Sequence, residues 1–144
     1  MKKSSLLFFV SVMVLIACNQ KNGTFKKEAS IMYEPKPLAL LMIQMHDETA
    51  LWKEAILKDS FDISFPTDYY GIYTLEATDS ALRNEVFTAQ ADIYLRAVKD
   101  LVETSKEKKK QKRYNVTIGA CISCHQVFCQ GPIDKITKLF ITGY

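Results

Sequence analysis

The chain has little of what many functional sites are built from. Its 144 residues include two histidines, four cysteines, five glycines and one tryptophan. The scattered glycines form no phosphate-binding loop, so nothing indicates a nucleotide. No apolar run reaches the length of about 18 residues that an ordinary membrane-spanning helix needs. With so few histidines and cysteines, the positions of these residues carry most of the functional information.

Strong net charge is also missing. The chain has 19 basic and 16 acidic residues, a formal net charge of +3. Removal of the first 17 residues, which hold Lys2 and Lys3 and no acid, would lower that charge to +1. A nearly neutral domain gives no reason to expect nucleic acid or another polyanion as a partner.

The N-terminal segment has the pattern of a bacterial lipoprotein signal peptide. Lys2 and Lys3 precede an apolar run, residues 6–17, in which Ser11 is the only polar residue. The run ends in Leu-Ile-Ala-Cys, which resembles a lipobox and predicts cleavage before Cys18 and lipidation of its thiol. An uncleaved N-terminal anchor is the alternative. Both interpretations put the rest of the chain outside the cytoplasm, and Asn19 favours the outer membrane.

These features divide the chain into three parts. Residues 1–17 are the predicted signal peptide, the polar residues 18–34 are a tether that begins at the lipidated cysteine, and residues 35–144 form one domain. The expected location is the periplasm, with the chain anchored to a membrane through its lipid.

Near the other end, residues 121–125 read Cys-Ile-Ser-Cys-His. This C-x-x-C-H pattern is the attachment signature of c-type haem. Two thiols add across the two vinyl groups of the haem, and the histidine supplies a nitrogen to the iron. In a helix, Cys121, Cys124 and His125 lie on one face. The pattern therefore predicts one covalent haem c.

Three other interpretations of the cysteine pair stay open. The cysteines could form a disulfide. A zinc site would need two further ligands, for which the chain offers His46, Cys129 and carboxylates. A redox-active dithiol usually follows a strand in an alternating α/β pattern, and the sequence has no such pattern. If lipid and haem take three of the four cysteines, Cys129 is left over. It comes four residues after His125, so we expect it to be buried beside the haem.

Hydrophobic periodicity predicts helices along the whole domain. The first runs from Pro37 to about Lys58, and its apolar residues recur every three or four positions. Residues 59–66 should form a loop whose aromatic side chains return to the core, and a shorter second helix follows Pro66. The predicted inward residues of the first two helices are Leu38, Leu41, Met42, Met45, Trp52, Ala55, Ile56, Tyr69, Ile72, Tyr73 and Ala77.

Two further long helices and a last turn complete the predicted domain. Thr78, Asp79 and Ser80 offer capping chemistry for the third helix, and the basic run 106–113 is expected to be a solvent-exposed loop. The fourth helix extends from Tyr114 to Phe128, before Gly131 and Pro132. The predicted inward residues of the third helix are Leu82, Val86, Ala89, Ile93, Ala97 and Leu101. The predicted fold is all-α, an antiparallel four-helix bundle with the haem on the C-terminal helix.

The order of four helices with C-x-x-C-H on the last one resembles the cytochrome c-prime superfamily, in particular its low-spin, methionine-ligated branch. No methionine follows the motif, so a sixth ligand from a methionine or histidine side chain must come from the first helix or just before it. Alignment with that superfamily implies Met42 as the distal ligand and Met45 as the alternative; His46 is a less favourable choice. Leu38 stands where the superfamily often has an arginine. The contact that this arginine makes near the haem in those proteins is therefore not expected here.

Two functions follow from this resemblance. A methionine on the iron implies a carrier that exchanges single electrons with redox partner proteins, whereas an open iron implies binding of NO or CO. The chain lacks acid–base groups suited to a haem enzyme, so we expect a carrier and not an enzyme. An acidic redox partner could dock on the basic run. The resemblance further implies a homodimer formed through the first helices.

The lipobox gives the first testable prediction. Replacing Cys18 by alanine removes the thiol that would be lipidated, so Cys18→Ala should move the protein from the membrane fraction to the soluble periplasmic fraction. Fractionation followed by immunoblotting measures this, and Cys129→Ser is the matched control. Continued sedimentation of the Cys18→Ala protein with membranes would contradict lipidation at this residue.

Overall fold

We analysed a computed structural model of the chain. The structure describes residues 34–62, 64–103 and 107–143, which form helices and no strand. The predicted signal peptide, Cys18, the predicted tether up to residue 33 and Ile63 of the predicted loop lie outside the described residues. None of the described helices combines the length and apolar character needed to cross a membrane. The prediction of an all-α fold is confirmed.

Helix α1, Pro37–Leu57, agrees with the prediction for the first helix. Pro37 occupies its first turn, where the missing N–H costs no helical hydrogen bond. The inward stripe is confirmed, with Met42 and Ala55 half-buried at its edge and the remaining apolar residues buried. Phe61 and Phe65, in the segment after α1, also return to the core as expected.

The predicted second α-helix is instead a 3-10 helix, Thr67–Tyr73. Its buried residues, Tyr69 and Ile72, are three positions apart, and this spacing places both on one side of a helix with three residues per turn. Leu75 packs directly on Gly71, where an added Cβ would lie 3.0 Å from its Cδ1 atom. The segment therefore enters the core as a tight 3-10 helix, and not as the α-helix that the predicted bundle required.

Helix α2, Glu85–Val102, begins later than predicted. Asn84 caps it by accepting a hydrogen bond from the Phe87 backbone N–H at 3.0 Å. Asp79 instead caps the separate 3-10 turn Ser80–Leu82, by accepting a bond from the Ala81 N–H at 2.9 Å. The predicted capping residues therefore belong to the 3-10 turn that precedes α2 and not to α2 itself.

The face of α2 that enters the core was predicted correctly at Ala97 and Leu101, which are buried, and incorrectly in the first half of the helix. Val86 and Ile93 are 54% and 44% exposed, and Ala89 is exposed as well. The buried face lies one position on, about 100° around the helix, and carries two aromatic rings. Since aromatic side chains bury large areas, they outweigh the aliphatic stripe. The buried residues of α2 are Phe87, Ala91, Tyr94, Leu95, Ala97, Val98 and Leu101.

Helix α3, Glu107–Phe128, starts within the basic run that was expected to be a loop. Lysine and arginine are good helix formers, so a basic sequence does not by itself interrupt a helix. Lys110 ties this end to the core: its Nζ donates to the Phe61 carbonyl at 3.0 Å and lies 5.5 Å from the centre of the Phe61 ring.

Contacts between side chains define how the helices run. Phe87 contacts Phe128 at one end of the α2–α3 pair, and Asp100 pairs with Arg113 at the other, so α2 and α3 are antiparallel. A short helix α4, Ile133–Thr137, and the chain after it then return toward α1. Lys53 donates to the carbonyls of Lys138 and Phe140, both at 3.0 Å, and so fastens the C-terminal segment to α1.

Candidate functional site

Most of the residues singled out in the sequence meet at one cavity. Cys121, Cys124 and His125 reach it from α3, and Met42 and Met45 reach it from α1, about 80 positions earlier in the chain. The other lining residues are His46, Thr49, Ile72, Gln90, Ala91, Tyr94, Ile136 and Leu139. The fold therefore joins the C-x-x-C-H motif to both candidate distal methionines.

The cavity is small and mostly apolar. Its volume is about 60 Å³, counted as the space open to the centre of a water-sized sphere. An engineered cavity of about 150 Å³ in another protein holds benzene. A porphyrin is much larger than benzene, so the walls of this cavity would have to move apart to admit one.

Both motif cysteines carry neutral thiols. Burial raises the pKa of Cys121 to about 12, and the neighbouring Cys124 adds to the shift. Burial also raises the pKa of Cys124. A redox-active dithiol needs the opposite effect, a lowered pKa that gives a thiolate at neutral pH. The site therefore argues against the redox dithiol.

A backbone hydrogen bond fixes the tautomer of His125. Its Nδ1 lies 2.9 Å from the carbonyl oxygen of Cys129. A carbonyl only accepts, so Nδ1 must carry the proton and donate it. The other ring nitrogen, Nε2, is then left with its lone pair. This is the arrangement in which a histidine binds a metal, with its second nitrogen held by a hydrogen-bond acceptor.

The zinc interpretation lacks a ligand set. Among the described residues, no group of three or more histidine, cysteine, aspartate or glutamate side chains comes close enough to hold a metal ion. A structural zinc site needs four such ligands. The described part of the chain therefore gives no support to zinc at Cys121 and Cys124.

The expectation that Cys129 is buried was wrong, because its side chain is exposed. Spacing of four residues places two side chains on one face only while the helix continues, and α3 ends at Phe128. Cys129 contributes through its backbone instead. Its carbonyl accepts from the His125 ring, and its N–H donates to the His125 carbonyl at 3.0 Å.

The α1 side of the cavity offers three candidate ligands. Met45 is 5% exposed, Met42 is half-buried, and both line the cavity. His46 also reaches it, although its Nδ1 lies 3.0 Å from the Asp47 carboxylate, as expected for a residue near the charged edge. The geometry brings all three near the motif and does not rank Met42 above Met45.

Sequence reasoning missed the polar residues that α2 adds to the cavity. Gln90 and Tyr94 lie one helical turn apart, and both line it. The hydroxyl of Tyr94 lies within hydrogen-bonding reach of the hydroxyls of Thr49 and Tyr69. A sequence signal for this face does exist: Phe87, Ala91 and Tyr94 form a second apolar stripe on α2, at spacings of four and three residues.

Comparisons with known proteins add no assignment. No protein-family model matches the chain, and neither curated proteins nor solved structures give a significant match. The geometry of the cavity is therefore the basis for a functional proposal.

Thiol reactivity tests the description of the cysteines. At about pH 8, iodoacetamide should modify the exposed Cys129 much faster than Cys121, because only a thiolate reacts and burial raises the pKa of the Cys121 thiol. Thioether bonds at Cys121 would give the same result. Peptide mapping by mass spectrometry locates the label. Modification of Cys121 as fast as that of Cys129 would restore the redox-dithiol interpretation.

Proposed function

We propose that this protein is a lipid-anchored, mono-haem c-type cytochrome that carries single electrons between periplasmic redox partners. The observation that carries the proposal is the meeting of Cys121, Cys124 and His125 with Met42 and Met45 at one apolar cavity. A chance C-x-x-C-H motif would have no reason to face two thioethers from another helix.

The donors at the cavity have the chemistry that covalent haem requires. Each thiol would add its S–H bond across a vinyl group, and Cys121 and Cys124 lie one helical turn apart for this purpose. His125 has its Nε2 lone pair available because Nδ1 is bound to the Cys129 carbonyl. When bound, the iron would supply a centre that cycles between two oxidation states.

The small volume of the cavity is the obstacle to this fit, and the fold offers a way around it. Ile136 and Leu139 line the cavity from the short helix α4 and the turn after it. This part of the wall is a single short helix, and the two hydrogen bonds from Lys53 to the carbonyls of Lys138 and Phe140 would have to break for it to move. Displacement of this segment would widen the site without separating the long helices.

The proposed architecture is the antiparallel four-helix bundle of the cytochrome c-prime superfamily. Its second helix is reduced here to the 3-10 segment Thr67–Tyr73. The antiparallel α2–α3 pair and the cavity shared by α1 and α3 support this arrangement.

Within this arrangement, each residue has a stated task. The Cys129 carbonyl would hold the His125 ring in one orientation and increase its basicity. A thioether from Met42 or Met45 would favour the reduced iron and suit reversible electron transfer. His46, which could otherwise assist acid–base chemistry, contacts Asp47. These tasks describe an electron carrier.

The basic start of α3 supports a partner of opposite charge. Lys109 and Lys112 are exposed on this helix and give it a positive surface, whereas the neighbouring Arg113 is paired with Asp100. Such a surface would speed the approach of an acidic redox protein, with a strong dependence on ionic strength. The proposal includes neither nucleic acid nor an enzyme activity, and it leaves the homodimer as an implication of the resemblance.

Attachment of the haem is tested by removing both thiols. In the double variant Cys121→Ser, Cys124→Ser the covalent haem should be absent, because no sulfur remains to form a thioether. A denaturing gel stained for haem measures this. Cys129→Ser is the matched control and should keep its haem, since this side chain is exposed outside the cavity. A haem band of normal intensity in the double variant would refute the assignment.

The sixth ligand is tested by optical spectra of the purified protein, oxidised and reduced, with and without CO. We expect a low-spin spectrum that does not respond to CO, and its conversion to a high-spin, CO-sensitive spectrum in either Met42→Leu or Met45→Leu. The variant that converts identifies the ligand, and the other methionine serves as its control. A wild-type protein that binds CO at once would instead favour the NO- or CO-binding function.

A further inference from the structure

The carbonyl that holds the His125 ring lies just beyond the end of α3. The helix ends at Phe128, and the acceptor of the His125 hydrogen bond is the backbone oxygen of the next residue, Cys129. The ends of helices fray unless other contacts hold them. The position of this acceptor therefore depends on what fixes the last turn of α3 to the rest of the fold.

The side chain that fixes this turn is Phe128. The structure describes all of residues 126–131, and within that range every side chain except that of Phe128 is exposed. Phe128 is half-buried and packs against the core. Its ring meets the ring of Phe87 edge to face, with the ring centres 5.5 Å apart and the planes at 73°. Because the side chain of Cys129 is exposed, Phe128 is the nearest side-chain anchor for the Cys129 carbonyl.

Phe87 is itself held in place from its other side. It is 5% exposed, and the guanidinium carbon of Arg83 lies 5.6 Å from the centre of its ring. Arg83 donates to the backbone carbonyl of Ile72 at 3.0 Å and to that of Leu75, so its guanidinium is tied to the backbone. A cation near a ring and an edge-to-face pair of rings are both attractive contacts. These contacts run without a break from the backbone around the 3-10 helix to the end of α3.

We propose that Phe87 and Phe128 are positioning residues for His125: their contact fixes the Cys129 carbonyl, and this carbonyl keeps the proton of the His125 ring on Nδ1. Neither aromatic ring lines the cavity, so a haem that widened the cavity would not take their space. The consequence for the iron rests on the proposed function. A fixed acceptor on Nδ1 makes the ligating nitrogen more basic, which stabilises the oxidised iron and lowers the reduction potential.

The chain offers a matched control at the other end of α3. Phe61 is buried almost as completely as Phe87, at 6% exposed. Its ring also meets another ring edge to face, that of Trp52, and the Nζ of Lys110 lies 5.5 Å from its centre. Lys110 precedes His125 by 15 residues in α3, which is about 22 Å along the helix axis. Loss of either phenylalanine ring should therefore cost similar stability, but only Phe87 is connected to the end that carries His125.

The experiment follows the Nδ1 proton of His125 by NMR in the reduced, full-length protein labelled with 15N-histidine. In the wild type this proton should exchange slowly with solvent. Phe87→Leu and Phe128→Leu should each make the exchange several-fold faster, and leucine preserves the helix propensity of α2 and α3. Phe61→Leu should lower the melting temperature to a similar extent and leave the exchange at the wild-type rate. Phe128→Tyr keeps the ring and should keep the exchange slow.

Two results would overturn the proposal. Wild-type exchange in both Phe87→Leu and Phe128→Leu, together with a lower melting temperature, would mean that the contact does not fix the carbonyl. Exchange in Phe61→Leu as fast as in Phe87→Leu would mean that His125 responds only to a general loss of stability. If Phe87→Leu does not fold, Phe128→Leu decides the question, because its site is only half-buried.

The reduction potential is a second readout, and it depends on the proposed function. Phe87→Leu and Phe128→Leu should shift the midpoint potential to more positive values because the ligating nitrogen becomes less basic, whereas Phe61→Leu should leave the potential unchanged. A wild-type potential in both variants would overturn the role toward the iron. Failure of the cytochrome assignment itself would be visible separately, as a wild-type protein without a haem stain, and the proton exchange would still decide whether the two rings position His125.

Discussion

The position of the site depends on one buried hydrogen bond between α1 and α3. The hydroxyl of Tyr114 donates to the backbone carbonyl of Thr49, and both residues are almost completely buried. A bond of this kind contributes only about 1 kcal/mol to the free energy of unfolding. If α1 and α3 packed in another register, however, the buried Tyr114 hydroxyl would lose its partner, and this would cost more. With Tyr114 fixed against Thr49, the motif seven positions further along α3 meets the part of α1 that precedes Thr49. The contact thus sets which α1 residues can face the cysteines.

The aromatic residues extend this alignment to the rest of the core. Tyr69 lies between Trp52 of α1 and Tyr94 of α2, with ring centres 6.1 Å apart on each side. Its hydroxyl is bound to Glu48, so the ring has little freedom to move. Tyr69 belongs to the 3-10 segment Thr67–Tyr73. This short segment therefore places an aromatic ring between α1 and α2 beside the cavity.

The sequence was sufficient for the features that depend on local chemistry. Proline at the start of α1 and the regular apolar stripe of that helix have a meaning that does not require the rest of the chain, and both are as predicted. The haem that the C-x-x-C-H motif indicates stays a prediction. Prediction failed where distant parts compete. The buried face of α2 carries Phe87 and Tyr94, whose rings contact Phe128 and Tyr69. The basic start of α3 is held to a distant loop, because Lys110 donates to the Phe61 carbonyl. The side chain of Cys129 was misplaced because the end of α3 was not taken into account.

The polar pair on α2 illustrates why a cavity is harder to predict than a motif. Gln90 and Tyr94 have no recognisable pattern, and Tyr94 alone is an ordinary core residue. Their significance comes from being brought beside Cys121 by the antiparallel packing of α2 on α3, where they add polar groups to an otherwise apolar wall. A motif states which atoms can bind a cofactor. The groups that surround those atoms come from the neighbouring helix and become visible only in the fold.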